Sequence, residues 1–470
     1  MKFDDKNPVI VGSGPSAAIV AEYLVSRGLV PTIFDAHSNG KIGEVEAKYL
    51  KNIGFKSHLQ SYNSYYQSPL SNLRYRKKFM ARQSFKFGGF SRVWGGTLSF
   101  FSDINLWPRE IRPNSQDYSF TEHFLGWHNQ RYLEQNLDLD VDYPQNYISK
   151  MNTGSRNLTA QASRLAIANQ GPNKCVNLND CLNGCPTDSI WFAGNPLKKL
   201  IDAQKVNYRP NSFLHSISKD EGKSLLLFQN EEHEYFEVEF SHAYLGLGPI
   251  GTAALLIRSG IFSEINIENS HTVFASAFSL NKQNYPKTNN LSKWWVMKTK
   301  GLKMMAQIYS PDLKLAQIAA MKMPRVIPFR NLVARLLIPY IHPMLIYFDS
   351  SISGSIKVKK IGSEIEVSGT IPEKSKNQIR KILIGLFRDF AKIGLYIPTF
   401  MIKIGSVGTG FHSGSFLKFG QHINESAEIL DFSGIHFIDS STLPSIEPGS
   451  ITPTIMLNAV RIARISIEKG

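Results

Sequence analysis

NPVIVGSGPSAAIVAEYLVSRGLVPTIFDAH, residues 7–37, is the stretch whose reading decides the fold. A short apolar run, Pro8 to Val11, breaks into a glycine turn, and apolar residues then recur at helical spacing (Ala17, Ala18, Val20, Ala21, Leu24, Val25) until Arg27 and Gly28. A second apolar run, Val30 to Phe34, ends on Asp35. The order strand, turn, helix, strand makes a βαβ unit, and Gly12, Gly14 and Ala17 supply the dinucleotide fingerprint G-x-G-x-x-A. Gly12 permits the tight turn, Gly14 lets the backbone approach a pyrophosphate, and Ala17 is small enough for the helix to pack on the strand. The helix then opens at Pro15 and Ser16 with free N–H groups and a partial positive charge aimed at phosphates. Asp35, followed by Ala36, is placed to take the two ribose hydroxyls of an adenosine, and a carboxylate there disfavours a 2′-phosphate.

The rest of the composition narrows the class. At 470 residues and 42% apolar content the chain holds two or three domains and a sizeable core. Its 53 Lys and Arg against 38 Asp and Glu give a net charge of +15, which favours anionic partners. No zinc-finger, RNP or basic-helix pattern accompanies that charge, so nucleic acid is not an expected partner. Three cysteines do not make a disulfide scaffold and fit a reducing compartment. Lys2, Asp4, Asp5 and Lys6 stand where the apolar part of a signal peptide would be, and the expected location is cytoplasmic. One segment, NLVARLLIPYIHPMLIYF at 331–348, is almost continuously apolar, but Arg335, His342 and two prolines interrupt it. A buried element is the first expectation for it; the second is a helix on an anionic membrane surface, which would place the protein peripherally at the inner membrane.

Downstream of the βαβ unit, residues 40–85 are polar and without period, and read as a long surface excursion. The next signal is GGFSRVWGGTLSFFSDINLWP, Gly88 to Pro108, with four glycines in nine residues around Trp94. Such a loop suits close backbone approach to a flat, charged ligand. The N-terminal βαβ followed by GGFSRVWGG and DINLWP resembles the glucose-methanol-choline (GMC) oxidoreductases, in the divergent bacterial-type subgroup that carries W-G-G after this loop. The resemblance implies bound FAD, with Gly88, Gly89, Ser91, Arg92, Trp94, Gly95 and Gly96 as its neighbours.

Two further stretches resemble the same family. AYLGLGPIGTAALLIRSGI, 243–261, is similar to its second strand, glycine turn and helix, with Gly248 in the turn and Leu247 in place of a small residue. The Leu214 backbone falls where the family contacts the adenine. GIHFIDSSTLPSIEPGSITPTIM, 434–456, resembles the family's closing segment, and it reads on its own residues as a strand ending at Asp439, a proline-rich turn and a helix from about Thr452, with Ser450, Thr452 and Thr454 as cap candidates. The resemblance implies that the backbones of Ser440, Ile451 and Thr452 meet the diphosphate and the flavin edge. Between them, Cys175, Cys181 and Cys185 end in G-C-P, a cluster expected to be structural rather than a metal site.

The expected fold is α/β: an FAD-binding Rossmann-like domain of the GMC and p-hydroxybenzoate-hydroxylase type (1–110, 200–262, 405–470), with an inserted α+β substrate domain on an antiparallel sheet (111–199, 263–404). The expected reaction is oxidation of an alcohol, sugar-like or other, by proton abstraction and hydride transfer to flavin N5. His412 in GTGFHSGS is the candidate base, since the family places a histidine in this segment and imidazole titrates near working pH. The family's second polar residue falls on Ser450, which can donate a hydrogen bond but is a poor base; His412 then acts nearly alone, or Thr452 or Asn458 shares the polar role. No residue fixes the electron acceptor. The alternative is a catalytically degenerate flavin-binding or membrane-surface protein; an NAD enzyme is disfavoured because the later glycine segments would have no task.

Overall fold

The structure is a computed structural model that describes residues 2–4, 7–37, 72–76, 79, 83–126, 145–155, 157–168, 170–176, 181, 185, 187–281, 291–298, 303–309 and 328–469. Its centre is a parallel sheet in the order β21 (Ile435–Phe437), β10 (Ala243–Leu245), β2 (Val9–Val11), β3 (Thr32–Phe34), β6 (Asn207–Arg209). The three middle strands are buried on both faces, which is why AYL, VIV and TIF read as apolar runs broken only by the buried Thr32. Helices α1 (Pro15–Ser26), α2 (Ser115–Phe124) and α8 (Thr452–Lys469) pack together beside it. A second sheet, β1 (Lys2–Asp4), β9 (Tyr235–Glu239), β8 (Lys223–Gln229), β7 (Phe213–Asp220), contains an antiparallel hairpin of β8 and β9. Arg464 of α8 forms a two-pronged ion pair with Asp117 of α2, 2.9 and 3.1 Å, and Asp117 also closes the capping box of its helix with Asn114. Because Asp117 has no solvent exposure, removing its carboxylate takes the buried half of Arg464's charge pairing and leaves it only the exposed Glu468. Asp117→Ala is expected to lose about 3 kcal/mol in a urea titration.

A third sheet runs β20 (Ser413–Gly414), β11 (Glu264–Asn269), β16 (Ser355–Ile361), β17 (Glu364–Thr370), β4 (Leu73–Tyr75). Its inner residues Ile265, Ile267, Ile356, Val358, Ile365 and Val367 share one core with the parallel sheet. Most of the stretch expected as a surface excursion lies outside the described residues, but its end does not wander: Leu73–Tyr75 pairs in parallel with β17, and Phe79 and Gln83 are buried.

The fourth sheet is the larger wall: β18 (Leu395–Tyr396), β12 (Thr272–Ser279), β15 (Ile341–Phe348), β14 (Met304–Tyr309), β13 (Ser292–Lys298), β5 (Leu158–Ala162), with β19 (Lys403–Ile404) also on β12. One face, with Val273, Trp294, Val296, Ile308 and Ile346, forms a separate core with α7 (Glu373–Lys392) and α3 (Gln145–Gly154). Helix α7 presents Ile379, Leu383, Leu386 and Phe390 to it at helical spacing. α4 (Gly194–Asp202) and α5 (Pro249–Arg258) pack on the first core. The apolar run 331–348 is not the single buried element its composition suggested. It divides into an exposed helix, α6 (Arg330–Leu337), a short turn at Pro339, and β15, whose burial alternates at its outer end. Continuous apolar residues carry no period to separate the two forms.

Candidate active site

The glycine turn after β2 is built as the fingerprint demands. Gly12 has φ +101°, and a Cβ there would lie 2.7 Å from the Gly246 carbonyl oxygen of the neighbouring strand's turn. Gly14 caps α1 with no side-chain hydrogen bond and Pro15 fills the first turn, so the helix presents bare N–H groups. Ser16 and Ala17 are buried behind them. The second glycine loop meets the first here: Gly88 N–H donates to Ser13 Oγ at 3.0 Å, and a Cβ on Gly89 would stand 3.3 Å from Gly14 Cα. Beside Gly14 itself, and beside Gly248, an added Cβ would meet nothing within 4 Å. Two bare backbones and an uncapped helix end thus border open space, which is the chemistry of a phosphate cradle.

Asp35 stands at the end of β3, buried, with its carboxylate accepting from Tyr208 Oη (3.0 Å) and His37 N–H (3.3 Å). Burial pushes its pKa up, and hydrogen bonds from Ser13 and Tyr208 oppose the shift. Ala36 is half-buried beside it. The Asp35 carbonyl accepts from Ser212 N–H, which brings the start of β7 and Leu214 to this end; the Leu214 and His215 carbonyls there receive Arg258 of α5.

The remaining residues of the loop at 88–96 divide. Ser91 is structural in its contacts, donating to Gly88 O (2.5 Å) and accepting from Ala193 N–H (3.0 Å). Arg92 donates to Phe87 O and covers the Phe192 ring, and Trp94 Nε1 donates to Trp191 O. Gly95 is exposed with open space beside it, while Gly96 packs against Ile190, Ala166 and Leu291. Gly88 and Gly89 are therefore the members of this set in contact with the first turn, and Gly96 faces the other domain.

The C-terminal segment closes the same end. Asp439 accepts from Thr252 Oγ1 at 2.5 Å and Ser441 N–H at 2.8 Å, and the Gly248 backbone also donates to it. Burial raises its pKa against those bonds. This carboxylate ties the end of β21 to the first turn of α5 and fixes Gly248 at φ +72°. Ser440 donates to Ser413 O (2.6 Å), and its carbonyl accepts from Ser415 N–H, so the strand carrying Ser413 is laced to it. Ile451 is buried in a small cluster with Trp107, Leu443 and Ile446, and Thr452 opens α8 half-buried. Thr454 does not cap that helix; its Oγ1 accepts from Phe101 N–H.

His412 lies one residue before β20, its carbonyl accepting from Ser270 N–H. The imidazole stacks on Tyr347 with centroids 4.7 Å apart and planes 15° from parallel. Its Nδ1 is buried with no hydrogen-bond partner, and burial pulls its pKa down to about 4. The next ring, Phe411, held at φ +56°, touches Phe90 of the glycine loop at 5.2 Å, so the histidine segment and the cradle are neighbours. Tyr347 shares a face of the large sheet with its cross-strand partners Thr272 and Met305, and with Leu345 and Gln307 one step along. A Cβ on Gly449 would meet Met305 Sδ at 3.1 Å, which places Ser450, buried, beside the same wall. Asn458 is committed elsewhere, to Thr442 and Arg461 inside the core.

Three contributors escape a sequence reading. Ser13 is an unspecified position of the fingerprint, yet it joins both glycine loops. Tyr208 reaches Asp35 from 173 residues away, and Tyr347 reaches His412 across two domains. Nothing in the sequence names Tyr347's partner. The three cysteines are half-buried and not disulfide-bonded; Cys185 Sγ accepts from Ser189 N–H.

No family model matches the chain, and no curated protein does. Among solved structures, the crystal structure of pyridoxine 4-oxidase from Mesorbium loti is similar over 99% of both chains, with a TM-score of 0.59 and 11% sequence identity. A likeness at that identity speaks for architecture. The chain thus has the mixed α/β architecture expected from its sequence, a parallel sheet joined to a large antiparallel sheet, and shares its overall fold with that oxidase.

Proposed function

We propose that this chain is an FAD-dependent oxidoreductase that oxidises an alcohol, with His412 as proton acceptor. The observation that carries the proposal is the meeting of the Gly12–Gly14 turn with Gly88–Gly89 at an open helix end, with His412 reached through the Phe90–Phe411 contact. The diphosphate would lie on the first turn of α1, the adenosine ribose at Asp35, and the ring system near Gly248, Ser440 and Thr452. Bound FAD supplies the hydride acceptor.

The protein's own residues do the rest. A histidine whose pKa is about 4 is neutral at pH 7, so it can take the hydroxyl proton. Its Nδ1 is hidden, which leaves Nε2 for the substrate. The Tyr347 ring fixes the imidazole plane where a hydrogen bond would otherwise do so. Burial drives the Tyr347 phenol well above its usual pKa, so it stays protonated and does not compete for the proton. Ser450 is suited to donate a hydrogen bond to the substrate oxygen, and the start of α8 favours negative charge beside it.

The test is optical. The purified protein is expected to show the two visible bands of an oxidised flavin and, without oxygen, to bleach on addition of an alcohol. A colourless protein that takes up no added FAD overturns the cofactor; a yellow protein that no alcohol from a broad panel reduces points to the degenerate flavin-binding alternative.

A further inference from the structure

The chain's positive charge is not evenly spread. From Asn269 to Phe348 there are 11 Lys and Arg and one acidic residue, Asp312, so most of the excess falls in one part of the large-sheet domain. Two of these cations are committed, Lys293 to the interior and Lys303 to an ion cluster. Arg330 and Arg335 are on α6, where Arg335 is exposed.

Among the described residues, the same region carries three of the four most exposed large apolar side chains, Phe329, Leu280 and Leu336. Phe329, just before α6, is 81% exposed, Leu332 and Leu336 on the helix 55% and 64%. The turn after α6 leads into β15, and there Tyr340 stacks on Phe278 of β12. Phe278 lies opposite Ile341 on one side and Tyr396 of β18 on the other, and β12 then ends towards Leu280, 72% exposed. Phe400, 83% exposed, belongs to the short turn packed along β12 before Lys403. The Phe278–Tyr340 contact therefore brings the end of α6, which carries Leu332, Leu336, Arg330 and Arg335, to the end of β12, where Tyr396 and Leu280 stand, and Phe400 and Lys403 follow along the same strand. No acidic residue occurs in 269–281, 328–348 or 390–405, the segments that build this corner.

We propose that this corner is a docking surface for a membrane rich in anionic phospholipid. Aromatic and leucine side chains standing clear of the surface suit insertion to the depth of the headgroup boundary, and cations on segments without acidic residues suit phosphodiester headgroups. The mode is lying on the bilayer: no helix among the described residues is long and apolar enough to cross one. The surface is also continuous with the His412 wall, because Phe278, Phe274, Leu345 and Tyr347 occupy one face of the sheet in register. Insertion would cover apolar area that a water-soluble surface of opposite character would not favour, and the charge selects an acidic bilayer over a neutral one.

The proposal is independent of the redox chemistry and is tested without it. The full-length protein is sedimented with vesicles of phosphatidylcholine alone or of phosphatidylcholine with phosphatidylglycerol, at low and raised salt. Binding is expected with the anionic vesicles only and weakens with salt. Phe329→Ser with Leu336→Ser should lower the bound fraction about tenfold, and Arg330→Glu with Arg335→Glu should abolish it, both with an unchanged circular dichroism spectrum. The exposed Phe400→Ser serves as a second apolar variant should the first pair disturb the fold. No sedimentation with anionic vesicles overturns the proposal, as does binding that these substitutions leave intact. Sedimentation equilibrium that shows a dimer dissociated by the same substitutions assigns the corner to a second copy of the chain and overturns it too.

Discussion

Replacing His412 by alanine is expected to lower kcat by roughly 10²- to 10⁴-fold with flavin still bound, because the imidazole is the group proposed to take the substrate proton. The measurement is turnover with an artificial dye as acceptor, beside the flavin absorbance of the same sample. Unchanged turnover would remove His412 from the mechanism; loss of flavin with activity would make it a binding residue. The pH profile adds a second constraint. Protonation at about 4 means that the neutral form persists on acidification, so kcat/KM should hold through pH 6 and fall only as pH drops towards 4. An ordinary histidine would show that limb near 6.5. The same depressed pKa makes the fold resist protonation: the stability it confers is full above the unfolded value of about 6.5 and is lost as pH falls towards the folded one. The profile is therefore read on samples whose circular dichroism is unchanged.

The second large effect separates folding from binding at two adjacent glycines. Gly14 has φ −68° and ψ 179°, which valine adopts without strain, and its Cβ would enter open space. Gly14→Val should fold and melt like wild-type apoprotein, yet retain less than about a tenth of the flavin after gel filtration, since its side chain occupies the place proposed for the diphosphate. Gly12→Ala should behave in the opposite sense. With φ +101° and a Cβ 2.7 Å from Gly246 O, it strains the sheet itself and lowers the melting temperature whether or not flavin is present. Equal flavin content in Gly14→Val and wild type would move the phosphates elsewhere.

What could be read from the sequence is what local chemistry determines. Gly12, Gly14 and Asp35 declare a strand, a turn and an acid within 24 residues; Asp439 closes a strand, and α7 shows its apolar stripe directly. The parts that stayed hidden depend on partners far along the chain. Leu73–Tyr75 looks irregular until β17 supplies its ladder almost 300 residues later. Asp117 finds Arg464 across 347 residues, and Tyr347 acquires its role only when His412 is laid against it. The run at 331–348 misled for another reason: a helix exposed on one side and a half-buried strand, joined at a proline, have the composition of one buried segment.

Glu447 gives the molecule a mechanical property. Its carboxylate, almost without exposure, accepts from Ser102 N–H at 2.9 Å and Asp103 N–H at 3.2 Å, and pairs with Lys303, which in turn holds Asp103 at 2.7 Å. Lys303 immediately precedes β14, and Ser450 follows Glu447 by three residues. The loop at 102–103, the start of β14 and the segment before Ser450 are thus tied at one point, and pulling them apart would leave a carboxylate in the interior without its counter-charge.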